Sequence, residues 1–169
     1  MDKDITIKRL LFDDWQDLKT IRLDALQSDP QVFLRRYDEE VQQGSAYWQR
    51  SLTKDAIKEK AIFGLYAGSQ IIGMGGIHGE TDALRTARLG GAYISAPYRG
   101  QGLAHDLIKA RLDWGRASAL YDFASVSHRK GNAASCAVII KAGFTFAEEK
   151  SILWPDGAED AELIYRLKL

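Results

Sequence analysis

Tyr93-Ile94-Ser95-Ala96-Pro97-Tyr98-Arg99-Gly100-Gln101-Gly102-Leu103-Ala104 is the stretch on which the reading of this chain turns. Its first residues suit a strand, Pro97 a turn, and the two glycines a loop that opens a helix near Gly102. Glycine lets backbone approach a ligand with no Cβ in the way. A helix start presents unpaired N–H groups and the positive end of the helix dipole. Together these form a socket for phosphate oxygens. Arg99 adds a permanent cation with several donors. The structural alternative is a glycine turn that only joins strand to helix.

Two common phosphate motifs are excluded. A P-loop needs Lys and then Ser or Thr after its last glycine, and Gly102 is followed by Leu103 and Ala104. A dinucleotide fingerprint G-x-G-x-x-G/A needs Gly or Ala where this chain has His105. What remains is R-x-x-G-x-A, from Arg99 to Ala104.

The whole chain sets bounds on that site. Its 169 residues are the size of one domain, and 46% hydrophobic with 27% charged residues is an ordinary globular composition. A formal net charge of zero argues against nucleic acid or a membrane as a general partner. The charge is nevertheless uneven. Residues 85–130 hold eight Lys/Arg against three Asp, and residues 131–162 hold two against six Asp/Glu. The basic segment contains the glycine loop, as a polyanionic ligand requires, although a solvated charged face gives the same count. A single cysteine, Cys136, allows no internal disulfide, and His78, His105 and His128 lack metal-site spacing. No metal is therefore expected. No apolar leader opens the chain, and no run approaches ~18 apolar residues, so a cytoplasmic location is expected.

Read in order, residues 4–12 form a first strand and residues 13–28 a helix with Leu18, Ile21, Ala25 and Leu26 on one face, ended by Asp29-Pro30. A second helix spans 39–52, weakened or split by Gly44. Residues 61–66 and 71–78 make a hairpin over Gly68-Ser69. Gly73, Gly75 and Gly76 in its second strand point to a bulge or a close approach. A polar connection over 80–87 leads to a strand over 88–96, and a helix follows over 102–119 with Leu103, Leu107, Ala110 and Trp114 on one face. A short strand covers 122–127. Asn132 caps a helix over 133–142 that Gly143 ends, and strands follow over 144–153 and 163–169.

The order of elements and four motifs resemble the GNAT family of N-acetyltransferases over nearly the full chain. The motifs are Arg22 to Leu26 in the first helix, and Arg99 to Ala104, which matches the family's [QR]-x-x-G-x-[GA] cofactor loop. Asn132 followed by Gly143-Phe144, and a last strand after the Pro155-Asp156-Gly157 turn, complete the set. The resemblance implies one domain over 1–169 with the acyl-CoA N-acyltransferase fold. That is an α+β, three-layer α/β/α architecture whose mixed, twisted sheet is splayed at a central V-shaped gap. It implies acetyl-CoA as co-substrate. The pyrophosphate would rest on Arg99, Gly100, Gln101, Gly102, Leu103 and Ala104, and the acyl arm would run along Tyr93, Ile94 and Ser95, with Asn132 and Ser135 beside it. A plain helix cap accounts for Asn132 equally well.

The implied reaction carries acetyl from acetyl-CoA to a primary amine of a small molecule or peptide, by direct attack through a tetrahedral intermediate. A backbone N–H near Ile94 would hold the oxyanion. His78 or Glu80 would take the amine proton, and His128 stands in a similar position. Many family members carry a tyrosine seven residues after the Asn as acid for the leaving thiolate; here that position is Ile139. Thiol pKa values near ~8–9 leave catalysis open without it. Tyr93 and Tyr98 lie nearby. Phe33, Tyr47 and Trp48 are candidates for the acceptor pocket, and the resemblance leaves room for a homodimer. The alternative reading is an acyl-CoA-binding module without catalysis, which Ile139 favours.

Overall fold

A computed structural model describes residues 4–169. Residues 1–3, the start of the expected 1–169 domain, lie outside the described residues. The elements run β1 (Ile5–Arg9), α1 (Trp15–Ser28), three short helices α2 (Tyr37–Glu40), α3 (Ser45–Arg50) and α4 (Ala56–Glu59), then β2 (Lys60–Ala67), β3 (Gln70–Gly79) and β4 (Thr86–Ile94). They continue with α5 (Leu103–Ala117), β5 (Phe123–Arg129), α6 (Ala133–Lys141), β6 (Thr145–Leu153) and β7 (Glu159–Lys168). The seven strands form one sheet in the order β1-β2-β3-β4-β5-β7-β6. Neighbours are antiparallel except β4 and β5, which are parallel.

That parallel pair creates the gap. Thr86 to Leu89 lie opposite Phe123 to Val126, and there the pairing stops. Past it, β4 stays with β3, Tyr93 opposite Met74 and Ile94 opposite Gly73. Meanwhile β5 stays with β7, Ser127 opposite Ile164 and His128 opposite Leu163. The two strands therefore part as a V.

Helices cover both faces. Leu18, Ile21, Ala25 and Leu26 of α1 are buried with Met74 and Tyr93. On the other face Ile108 and Leu112 of α5 pack with Ile77, Leu89, Val126 and the Ile139 of α6. Each such side chain adds ~1.5–3 kcal/mol when fully buried. The result is the α/β/α layering the sequence leads one to expect. The buried stripe of α5 is Leu103, Leu107, Ile108, Arg111, Leu112 and Gly115, rotated from the expected one. Trp114 sits at the rim instead, under the Arg9 guanidinium at 5.3 Å from its ring.

The glycines of β3 have two causes. The register with β4 shifts between Met74 and Gly76. A Cβ on Gly75 would stand 3.1 Å from Cζ of Arg111, and one on Gly73 2.9 Å from the Tyr93 carbonyl oxygen. Gly44 does split the second helix, into α2 and α3. Among the described residues, no helix is long and apolar enough to cross a membrane.

Candidate active site

The loop after β4 presents donors that can hold an anion. Gly100 and Gly102 have φ of 77° and 82°, in the left-handed region, and Gly102 is the N-cap of α5. A Cβ at either would meet nothing within 4 Å, so the surface they form is open. The first amides of α5 with a backbone acceptor are His105 and Asp106, both toward the Gly102 carbonyl at 2.9 and 3.4 Å. The N–H groups of Gly100, Gln101, Gly102, Leu103 and Ala104 have none among the described residues. Nδ1 of His105 is also buried and unpaired there. Five consecutive amide donors at the positive end of a 15-residue helix fit a diphosphate.

Arg99 is already engaged. Its Nε donates to the Ile94 carbonyl at 2.7 Å, and its Nη2 donates to Asp29 at 2.5 Å. The guanidinium thereby ties the loop to the end of β4 and to the end of α1. The Tyr93 and Ser95 hydroxyls both donate to Asp24 of α1, at 2.9 and 3.0 Å. Burial, together with Asp24, raises the Tyr93 phenol above its usual range.

The other lip of the gap carries Asn132, Ser135 and His128. Asn132 Oδ1 accepts from the Ser135 amide at 3.1 Å and caps α6, leaving its side-chain NH2 for another partner. Ile139 is buried in the core. Tyr165 of β7 is buried with it, and its hydroxyl lies 3.1 Å from Nε2 of His128 and 3.5 Å from Sγ of Cys136. The Cys136 hydrogen bond and burial push this phenol up to about 12. His128 is thus a member of a buried polar chain, stacked on Tyr165.

Near the vertex, the register of β4 with β3 breaks. Gly91 and Ala92 have no partner opposite them on β3 or on β5, and both are exposed. Gly91 takes φ of 62°. Beside them opens a cleft of about 440 Å³, walled by Leu18 and Arg22 of α1, Glu40 of α2, Tyr47, Trp48 and Arg50 of α3, Gly76 of β3, and Gly90 and Gly91. Glu40 is buried and takes a two-pronged ion pair from Arg22, at 3.0 and 3.1 Å. Arg22 in turn stacks on Phe33. Tyr47 and Trp48 thus do line the cleft, whereas Phe33 supports a wall. A larger hollow of about 620 Å³, between the end of α5 and the start of β5, lies at the closed end of the V.

The three residues expected to do chemistry fall in different settings. His78 is exposed, opposite Arg88 and two residues along β3 from Gly76, on the same face of the strand. Its Nδ1 donates to the Gly79 carbonyl at 2.9 Å, which leaves Nε2 of the neutral ring with its lone pair. Glu80 is locked in a polar cluster. It accepts from Arg88 at 3.2 Å and from Ser125 at 2.8 Å, and Arg88 also reaches Ser127 and Glu162, both at 2.6 Å. The Ile94 carbonyl accepts from Arg99, which leaves the Ile94 N–H as a separate group: Ser95 next to it donates to the Ile72 carbonyl of β3, so the Ile94 N–H points to the other side of β4, toward the gap. Sequence reading missed Glu40, Arg22, Arg35 and Arg50 as cleft residues. A buried carboxylate shows no signal when its partner lies a helix away.

Comparison with known proteins bears on family and fold. The family model for the GNAT acetyltransferase domain matches residues 9–145. No curated protein sequence matches the chain. Among solved structures, an acetyltransferase of the GNAT family from Streptococcus pneumoniae superposes with a TM-score of 0.82 at 17% identity, covering 98% of this chain and 100% of that one. The ribosomal-protein-S5-alanine acetyltransferase of Vibrio fischeri gives 0.81 at 14%, covering 97% and 92%. The yncA protein of Salmonella typhimurium, solved with its cofactor acetyl-CoA, gives 0.75 at 16%, covering 98% and 94%. The structural matches establish the shared fold, and the family match over most of the chain establishes the rest: the protein belongs to the GNAT family and is an acetyl-CoA-dependent acetyltransferase.

Proposed function

We propose that this enzyme acetylates the primary amine of a small molecule, in the cytoplasm, within the cleft beside Gly90 and Gly91. The observation that carries the proposal is the row of five unpartnered amides from Gly100 to Ala104, at one end of a gap whose other end opens onto that cleft. Acetyl-CoA supplies an acyl thioester, already activated toward amines. The amides of Gly100 to Ala104 hold its pyrophosphate, while Arg99 keeps the loop in place. Tyr93, Ile94 and Ser95 line one side of the arm, and Asn132 and Ser135 the other, with the Asn132 NH2 as a donor. A volume of about 440 Å³ lies in the range of small-molecule sites. The name of the Vibrio relative states a protein acceptor, so a peptide amine is the second reading.

Nε2 of His78 takes the proton that the attacking ammonium must lose. His78 is preferred to Glu80 because the Glu80 oxygens already accept from Arg88 and Ser125. The Ile94 N–H, on the gap side of β4, holds the carbonyl oxygen as negative charge grows on it. A C–N bond forms, the C–S bond breaks, and the thiolate leaves; one proton from the amine balances its charge.

The test is thiol release from acetyl-CoA with a panel of primary amines, together with CoA binding by calorimetry. Gly102→Trp fills the open cradle and should abolish CoA binding while the chain stays folded. His78→Gln should lower kcat/KM at least ~10-fold and remove the acidic limb of the pH profile. Unchanged CoA affinity in Gly102→Trp would overturn the placement of the cofactor, and an unchanged profile would remove His78.

A further inference from the structure

The cleft beside Gly90 and Gly91 has three arginines and one carboxylate on its walls. Arg22 and Glu40 satisfy each other through two hydrogen bonds and contribute no net charge. Arg35 and Arg50 are different. Both line the cleft, both are exposed, and neither guanidinium makes an ion pair or hydrogen bond among the described residues. Arg50 is held across the Tyr47 ring, its Cζ 5.8 Å from the centroid. That contact leaves the donors at the edge of the guanidinium free. Lys60 stands close enough that the charge of Arg50, after burial, lowers its pKa.

Two guanidinium groups without an ion pair among the described residues thus stand together on the walls of this cleft. Like charges so placed cost free energy unless a ligand answers them. The floor between them and Gly90 is apolar, made by Leu18, Ile62, Met74 and the Trp48 side chain. Guanidinium forks match carboxylate and phosphate oxygens geometrically. The cleft therefore joins the glycine backbone of β4, an apolar floor and two guanidinium forks with free donors.

Resting on the acetyl transfer proposed above, we infer that the acceptor is a small primary amine carrying a carboxylate or phosphate, which Arg35 and Arg50 hold while the amine faces Gly90 and Gly91. The arrangement selects against polyamines, whose second ammonium would meet the two arginines. It also leaves neutral amines without an anchor.

Matched acceptors test this. Amino acids are compared with their amides, and amino-alcohol phosphates with the parent amino alcohols, by kcat/KM in the thiol-release assay. Binding of each acceptor to the CoA complex is measured by calorimetry as a second readout. The anionic member of a pair is expected to be preferred at least ~10-fold, the equivalent of one free-energy step of about 1.4 kcal/mol. The carboxylate and phosphate arms identify which anion is used. Arg35→Gln with Arg50→Gln should bring the ratio close to one, chiefly through KM, with CoA affinity and thermal midpoint kept. Arg35→Lys with Arg50→Lys should restore part of the preference. A preference for polyamines or neutral amines, a ratio unmoved in the double Gln variant, or no binding of any anionic amine to the CoA complex would each overturn the inference. Failure of CoA itself to bind is a separate result, which would sink the acetyl-transfer reading.

Discussion

Arg111 projects from α5 into the space that glycine leaves at position 75. It is 1% exposed, and no carboxylate pairs with it among the described residues. Its partners are the Leu107 carbonyl at 3.1 Å and the Gly76 carbonyl at 3.4 Å. Burial pushes its pKa down to about 10. Desolvating such an ion costs several kcal/mol, so the site is costly and tightly filled. Gly75→Ala is expected to lose about 1–3 kcal/mol, because a guanidinium walled in by backbone cannot step aside. Arg111→Met relieves both the charge and the crowding, and should be neutral or stabilising. The double variant should recover most of the loss, a coupling of about 0.5–3 kcal/mol in urea denaturation. Simple additivity would show that the two residues do not oppose each other as the packing indicates.

Among the elements, α6 separates two roles of one residue. Asn132 caps the helix with its oxygen, and its nitrogen is the donor proposed for the cofactor arm. Asn132→Ala should cost about 1 kcal/mol of stability. Asn132→Asp keeps the acceptor and loses the donor. Its unfolding midpoint should stay near wild type while its CoA affinity falls several-fold by calorimetry. Equal CoA affinity in the Asp variant would leave the residue a cap alone. The elements themselves were largely legible, because strands and helices write their periods in apolar residues. The hairpin of β2 and β3, the glycine stop after α6 and the break at Gly44 all lie where turn chemistry puts them. Boundaries moved where tertiary contacts overrode local pattern. β5 runs on to Arg129 because β7 supplies it with partners, and β4 begins at Thr86 because β5 does the same for it. The geometry of the Gly100–Gly102 loop was legible for a local reason, since glycine, helix start and arginine are neighbours in sequence. The acceptor cleft was not. Its walls come from α1, α2, α3, β2, β3, β4 and the segment before α2, and what makes Arg35 and Arg50 notable is the absence of partners among the described residues, which only three-dimensional packing reveals.

At the scale of the whole molecule, Arg129 gathers the end of the second lip. It donates to Asp160 at 3.0 Å, to Asp156 at 2.6 Å and to the Gln31 carbonyl at 3.1 Å. Hydrogen bonds from Arg129 hold the Asp156 and Asp160 carboxyls below the usual carboxylate range. Groups that bind protons less tightly when folded add stability that is complete above their unfolded pKa, near ~3.9, and that is lost as pH falls through the lower folded value. The thermal midpoint should therefore decline below about pH 4, and Arg129→Ala should show a shallower acid decline than wild type. Parallel profiles for the two proteins would remove Arg129 from that account.

The segment Asp29-Pro30-Gln31 meets both sides of the gap at once. Asp29 is fastened to Arg99 after β4, and the Gln31 carbonyl to Arg129 at the end of β5. A short, proline-stiffened strap across an aperture acts as a stop on its width: the opening cannot gape unless one fastening lets go. The fastening at Asp29 uses the same guanidinium that stands at the phosphate loop. Under the proposed placement of the cofactor, a diphosphate would compete with Asp29 for that charge, which would link the filling of the loop to the breadth of the slot.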